Sequence, residues 1–173
     1  LVTYGKVVGG GFPVGCYGGR KDLMDFVAPQ GPVYQAGTLS GNPVGMVAGL
    51  TTLEKMRREN VIGKMDKRAQ GFVEALESHI NELELPLKIV RQGSLLWMHA
   101  SDKKEPQSLT DISSNQGTLF NELFHQCLKE RIYLAPSGFE VSFLSWAHNE
   151  KILIEASHRF KKAFTALKEK LKA

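Results

Sequence analysis

Apolar residues recur at steps of three and four over three stretches, and each predicts a helix with one buried face. Over 61–83 the stripe is Ile62, Met65, Ala69, Phe72, Leu76, Ile80 and Leu83, and Pro86 closes it. Over 117–130 it is Leu119, Phe120, Leu123, Phe124, Cys127 and Leu128. Over 149–171 it is Leu153, Ala156, Phe160, Ala163, Phe164, Leu167 and Leu171, with Lys161, Lys162, Lys168 and Lys170 as a solvated face. A fourth helix, 43 to about 57, is announced by its start: Asn42 suits an N-cap and Pro43 the first helical position. Its early turns carry Gly45, Ala48 and Gly49, small enough for close packing. Short apolar runs predict strands at 1–8, 14–19, 88–91, 95–100, 132–135 and 141–145, the middle pair joined at Gln92-Gly93-Ser94. Residues 20–27 read as one or two helical turns with Leu23, Met24 and Val27 inward, and 33–36 as an extended segment. Two prolines mark 28–32 as a loop, and 101–116 is polar without periodicity, a second loop.

Helices and strands thus alternate, which makes the chain α/β, with a boundary near 58–62. Residues 1–60 read as the end of one α/β domain, and 61–173 as a small α+β domain of about four strands and three helices. The totals change little: 173 residues, 42% hydrophobic, 23% charged, net charge +4. Much of the excess sits in the C-terminal lysines, and no basic stripe interleaved with aromatics marks a nucleic-acid partner. No apolar run approaches the roughly 20 residues that span a bilayer. Cys16 and Cys127 are the only cysteines, which fits a reducing, cytoplasmic setting and predicts neither disulfide nor zinc site. His79, His99, His125, His148 and His158 show no metal-ligand spacing. The chain opens on Leu1 inside a strand-like run, as a fragment would.

Candidate chemistry begins at Lys6, set between an apolar run and Gly9-Gly10-Gly11. A deprotonated lysine amine forms a Schiff base with a carbonyl group, given burial or a nearby cation that lowers its pKa. Glycines beside it let the backbone turn sharply and approach a bound group. A surface lysine before a glycine turn is the plainer alternative. The second candidate is Gly37-Thr38-Leu39-Ser40-Gly41-Asn42, just ahead of the helix at Pro43. Backbone N–H groups, a threonine hydroxyl and a helix N-terminus can together bind an anion, although such residues also simply cap helices. Neither a Walker A motif nor G-x-G-x-x-G is present, so nucleotide binding has no support.

The combination is more specific than its parts. Gly5-Lys6-Val7-Val8-Gly9-Gly10-Gly11-Phe12-Pro13-Val14-Gly15 with Tyr17-Gly18-Gly19-Arg20 resembles the cofactor-lysine region of the class III aminotransferases, which use pyridoxal phosphate. The run from Val27 to Pro43, and Tyr133-Leu134-Ala135-Pro136-Ser137-Gly138-Phe139-Glu140 followed by Phe143 to His148, narrow the resemblance. They point to the branch that moves an amino group within one substrate molecule. The resemblance implies the C-terminal portion of a fold-type I transferase: the end of the large cofactor domain, then the small domain. It implies that Lys6 holds the cofactor, alternating between pyridoxal and pyridoxamine phosphate, and shuttles protons. Gly37 and Thr38 would bind the cofactor phosphate, from the neighbouring subunit of a homodimer. Glu140 would be a carboxylate near the cofactor, a position that an ordinary solvated loop residue also fits.

Cys16 stands where the family usually has alanine, and Gly138 where glutamine is frequent. The larger departure is that the family's phosphate-cup loop, ring-stacking aromatic and pyridinium-pairing aspartate have no match here. The chain by itself is therefore expected to be inactive. A general class III aminotransferase with separate amino donor and acceptor, or a non-catalytic folded fragment, are the alternatives.

Overall fold

The computed structural model describes residues 1–101 and 103–172; Asp102, inside the predicted 101–116 loop, and Ala173 lie outside the described residues. The chain divides into two compact units, Leu1–Val61 and Ile62–Ala173.

The first unit opens on a two-stranded antiparallel hairpin, β1 (Val2–Tyr4) with β2 (Cys16–Gly18), in the register Val2 with Gly18 and Tyr4 with Cys16. The predicted strand over 1–8 stops at Tyr4: Lys6 turns left-handed (φ +54°), Lys6–Gly9 winds into a 3-10 turn, and the Gly10 N–H closes onto the Val7 carbonyl at 2.9 Å. A single helical turn, α1 (Lys21–Met24), follows. Leu23, expected to face inward, is exposed, while Met24 and Val27 are half-buried. The predicted extended segment at 33–36 forms no strand; only Val33 makes a bridge, to Val27. α2 (Pro43–Arg58) starts as its sequence dictates, with Asn42 Oδ1 accepting from Val44 N at 2.9 Å and Gly45 N at 3.2 Å.

Packing in this unit rests on glycine. Its buried residues are Gly9, Gly45 and Gly49, and all the buried apolar side chains of larger size belong to the second unit. A Cβ on Gly49 would stand 2.6 Å from the Val8 carbonyl oxygen, and one on Gly45 3.0 Å from Val14 Cγ2. Gly10, at φ +60°, would press a Cβ to 2.8 Å from the Ala48 carbonyl oxygen. The small residues of α2 therefore let the Lys6 turn lie directly on the helix backbone.

The second unit is a helix-covered sheet. α3 (Val61–Glu82), α4 (Gln116–Lys129) and α5 (Glu150–Lys172) pack with an antiparallel sheet ordered β3 (Lys88–Gln92), β4 (Leu95–His99), β5 (Ser142–Phe143). The three predicted stripes supply the core: Ala69, Leu76, Leu119, Leu123, Ala163, Phe164 and Leu167 are essentially inaccessible, with Ile89 and Leu96 from the sheet. Stripe ends miss it: Ile62 is 72% and Leu171 45% exposed, both at helix termini. Leu128 is also exposed.

The predicted strand at 132–135 is absent, so the described sheet has three strands, not four. The reason is the way α4 ends. Arg131 turns left-handed (φ +60°), and Ile132 N bonds back to the Cys127 carbonyl at 2.8 Å, a Schellman closure that folds the apolar run against the helix. α3 closes in the same manner, with Glu84 at φ +49° and Leu85 N on the Ile80 carbonyl at 3.0 Å. Burial pushes the Cys127 thiol up to about 12, so it stays a neutral, space-filling group.

Two helical glycines in this unit, Gly71 and Gly117, lack a steric reason. Gly71 lies inside α3, is exposed, and a Cβ there would meet nothing within 4 Å. Gly71→Ala should raise stability by roughly 0.5–1 kcal/mol, the helix-interior cost of glycine. Thermal unfolding checks it, and an unchanged or lower midpoint would contradict the open space.

Candidate functional site

Lys6 is the first residue of the 3-10 turn, exposed, with φ +54°. Left-handed backbone costs a non-glycine residue on the order of 1–2 kcal/mol. Among the described residues, the other non-glycine residues in that region, Asn60, Glu84 and Arg131, all sit just beyond the ends of α-helices, where the conformation closes the helix. Lys6 follows no helix. Glycine stands at 5, 9, 10 and 11, yet the strained position carries lysine. Strain at a chemically active side chain is a pointer to function. Its amine makes no hydrogen bond or ion pair with any described residue. The burial that the sequence argument asked for is not supplied within this unit: Lys6 lines an open hollow of about 500 Å³ with Val7, Gly11, Phe12 and Pro13.

A neighbouring hollow of about 450 Å³ shares Pro13 and is bounded by Cys16, Tyr17, Gln35, Gly37, Ser40 and Gly41, among others. Gly37 lines it, and the Ser40 N–H donates to the Gly37 carbonyl at 2.9 Å, closing the turn. Thr38 is exposed, unpaired, and absent from the lining. The helix N-terminus contributes less than its sequence implied. Pro43 has no N–H, and those of Val44 and Gly45 are taken by Asn42. An anion at this turn would be met by Thr38 and its backbone, not by the end of α2. Cys16, paired with Tyr4 across the hairpin, faces the same hollow as Gly37.

Glu140 belongs to the second unit, exposed on the turn between α4 and β5. Its N–H donates to the Ser137 carbonyl at 3.1 Å. Gly138, two residues earlier, is buried, and its carbonyl accepts from Trp97 Nε1 at 2.8 Å and Gln116 Nε2 at 2.6 Å. A Cβ on Gly138 would come within 2.7 Å of Phe120 Cβ, so the seat admits no side chain. Sequence reading missed Trp97 and Gln116; the signal available was a polar amide at the head of an apolar helix. Lys6, Gly37 and Thr38 are thus carried by the first unit, and Glu140 by the second.

A larger cleft of about 770 Å³ in the second unit, between α3 and α5, holds none of these residues. Lys64, Lys67 and Arg68 lie at one end, with Arg68 over the Trp146 ring at 4.5 Å, and His79 Nε2 meets Ser157 Oγ at 3.1 Å. Burial, then Lys161, hold His79 below the usual imidazole range. No His, Cys, Asp and Glu cluster among the described residues is placed to bind a metal, and no described helix is long and apolar enough to cross a membrane.

Residues 1–142 match the family described as Aminotransferase class-III. The glutamate-1-semialdehyde 2,1-aminomutase of Bdellovibrio bacteriovorus is 47% identical over 157 residues, 91% of this chain and 37% of that protein. Among solved structures, a β-phenylalanine aminotransferase from Variovorax paradoxus superposes with a TM-score of 0.82 at 27% identity, covering 95% of this chain and 38% of that one. A transaminase solved with PLP bound shares the fold, with a TM-score of 0.77 at 20% identity over 99% of this chain and 39% of its own. The chain spans less than two-fifths of the length of each.

Proposed function

Since the chain belongs to the class III aminotransferase family, whose cofactor is pyridoxal phosphate and whose fold is that of the PLP-dependent transaminases, we propose that it carries part of a glutamate-1-semialdehyde 2,1-aminomutase. The complete enzyme would convert glutamate-1-semialdehyde to 5-aminolevulinate, a tetrapyrrole precursor, as a cytoplasmic homodimer. Identity of 47% to a protein of that name supports this reading, against 27% to the β-phenylalanine aminotransferase.

The residues present fit the cofactor in three respects. Lys6 offers an unpaired amine from a strained turn, Gly10 and Gly49 let that turn lie close on α2, and the Gly37–Thr38 turn leaves a hydroxyl unengaged. When bound, pyridoxal phosphate supplies a carbonyl for covalent attachment and a ring that withdraws electrons from the substrate. Lys6 Nζ would hold it and, once released, take up and return protons at the substrate carbons that carry the amino group in turn. Thr38 Oγ1 and the surrounding backbone would take the phosphate of the partner subunit's cofactor. Glu140 would orient the substrate or the lysine through its carboxylate. Residues 1–60 would then be the end of the large domain, and 61–173 the small one.

A general aminotransferase is the second reading, favoured by the 0.82 superposition on one. The two separate on amino-donor dependence. The complete protein, given the semialdehyde and no added donor, should release 5-aminolevulinate. Product that appears only with an external donor would replace the aminomutase reading with the second. The 173-residue chain by itself is expected to turn over nothing, as a non-catalytic fragment would.

A further inference from the structure

Glu140 sits on a short turn whose fixing points lie on either side of it. Phe139, Glu140 and Val141 are all exposed. Downstream the chain is held by β5, with Ser142 opposite Leu96 and Phe143 opposite Leu95, and by Leu144 N on the Ser94 carbonyl at 2.9 Å. Upstream it is held at the Gly138 carbonyl, by the Trp97 indole and the Gln116 amide.

Gln116 is the more informative of the two. It is 2% exposed, at the first position of α4. Its Oε1 accepts from Ala100 N at 2.6 Å, and its Nε2 donates to the Gly138 carbonyl at 2.6 Å and the Met98 carbonyl at 3.3 Å. Three of the four hydrogen bonds open to a primary amide are made. One buried side chain therefore ties the end of β4, the start of α4 and the turn before Glu140. A buried polar group is costly unless satisfied, so the amide has one low-energy arrangement, and the Gly138 carbonyl is fixed with it. The missing Cβ of Gly138 permits this approach, since a side chain there would stand 3.1 Å from Gln116 Nε2 and closer still to Phe120.

We infer that Gln116, assisted by Trp97, is a positioning residue that sets Glu140 for the reaction. The inference rests on the proposed role of Glu140. It gives the buried amide a task beyond stability: placing a carboxylate two residues away, through a backbone carbonyl, with no contact between Gln116 and substrate.

The test is a double-mutant cycle in the complete holoenzyme, read as kcat and KM. Gln116→Met keeps the shape and loses the hydrogen bonds. It should lower kcat by about 10-fold with Glu140 present and by less than ~2-fold in a Glu140→Gln background, with KM little changed, because coupled residues are not additive. Gln116→Glu, buried and therefore protonated, keeps the acceptor for Ala100 N and one of the two donors, so its loss should be smaller than that of Gln116→Met and show the same dependence on Glu140. Trp97→Phe removes only the second donor to Gly138 and serves if the Gln116 variants fail to fold; the same dependence on Glu140 is expected, with a smaller loss. Equal losses in both backgrounds, with Glu140→Gln itself impaired, would reduce Gln116 to a structural residue and overturn the inference alone. A Glu140→Gln enzyme at full rate would remove the role of Glu140 and the inference together.

Discussion

Lys6→Ala is expected to lower turnover of the complete enzyme by about 10³-fold or more, since it would remove the covalent hold and the proton carrier proposed above. The structure allows a sharper form of this experiment. Lys6 occupies left-handed backbone at φ +54°, which glycine adopts without penalty. Lys6→Gly should therefore leave the fold as stable as before, or about 1 kcal/mol more so, while activity disappears. Lys6→Arg should not rescue, because a guanidinium does not deprotonate and cannot bond to a carbonyl carbon. Borohydride reduction in the presence of pyridoxal phosphate should label the parent enzyme once per subunit at Lys6 and leave the variants unlabelled. Normal turnover by Lys6→Ala, or a label that persists without Lys6, would remove its assigned role. If Lys6→Gly instead unfolds early, the strain argument fails while the chemical one stands.

The second large effect is steric and comes from a helix residue with no reactive group of its own. Gly49→Ala introduces a Cβ 2.6 Å from the Val8 carbonyl oxygen, inside any ordinary contact. Two terms oppose each other. Alanine in a helix interior gains about 1 kcal/mol over glycine. Overpacking costs about 1–3 kcal/mol, and here the obstacle is backbone, which cannot swing aside as a side chain does. Overpacking should win by about 1–2 kcal/mol, and Gly49→Val should be worse. Because Val8 is two residues from Lys6 in the same 3-10 turn, relief of the clash moves the lysine. Hydrogen exchange at residues 7–14 should accelerate and borohydride labelling at Lys6 should fall, while the amides of α3 to α5 stay protected. Unaltered exchange and full labelling in Gly49→Ala would mean that the turn does not depend on α2. The contrast with Gly71→Ala is instructive, as the same substitution in α3 meets open space and should stabilise.

Much of this architecture was legible because it depends on local periodicity. The 3.6-residue stripes of α3, α4 and α5 decide which faces are buried, and Asn42-Pro43 decides where α2 starts. Lys6 was singled out by its glycines, and the resemblance those residues carry led to the family to which the chain belongs. Where reading failed, a non-local or stereochemical term was in control. Residues 132–135 are apolar enough for a strand, but a Schellman closure after α4 determines their course. Lys6 reads as the continuation of β1, but its own left-handed backbone ends the extended run, and the turn that follows lies close on α2. The α2 N-terminus reads equally as part of an anion site or as a plain cap, and only the fold shows Asn42 taking the Val44 and Gly45 N–H groups.

Composition and spacing determined that residue 6 is a lysine among glycines, ahead of a capped helix, and that three amphipathic helices share a core. Only the tertiary structure decided that this lysine is held in left-handed backbone, and that Gly10 and Gly49 rather than large apolar side chains seat its turn on α2. Only it decided that a glutamine 22 residues before Gly138 reaches back to hold that carbonyl. The physical reason is common to all three. Hydrophobic periodicity reports which face of an element is buried, whereas backbone strain, close approach and buried hydrogen bonds depend on which distant group arrives opposite.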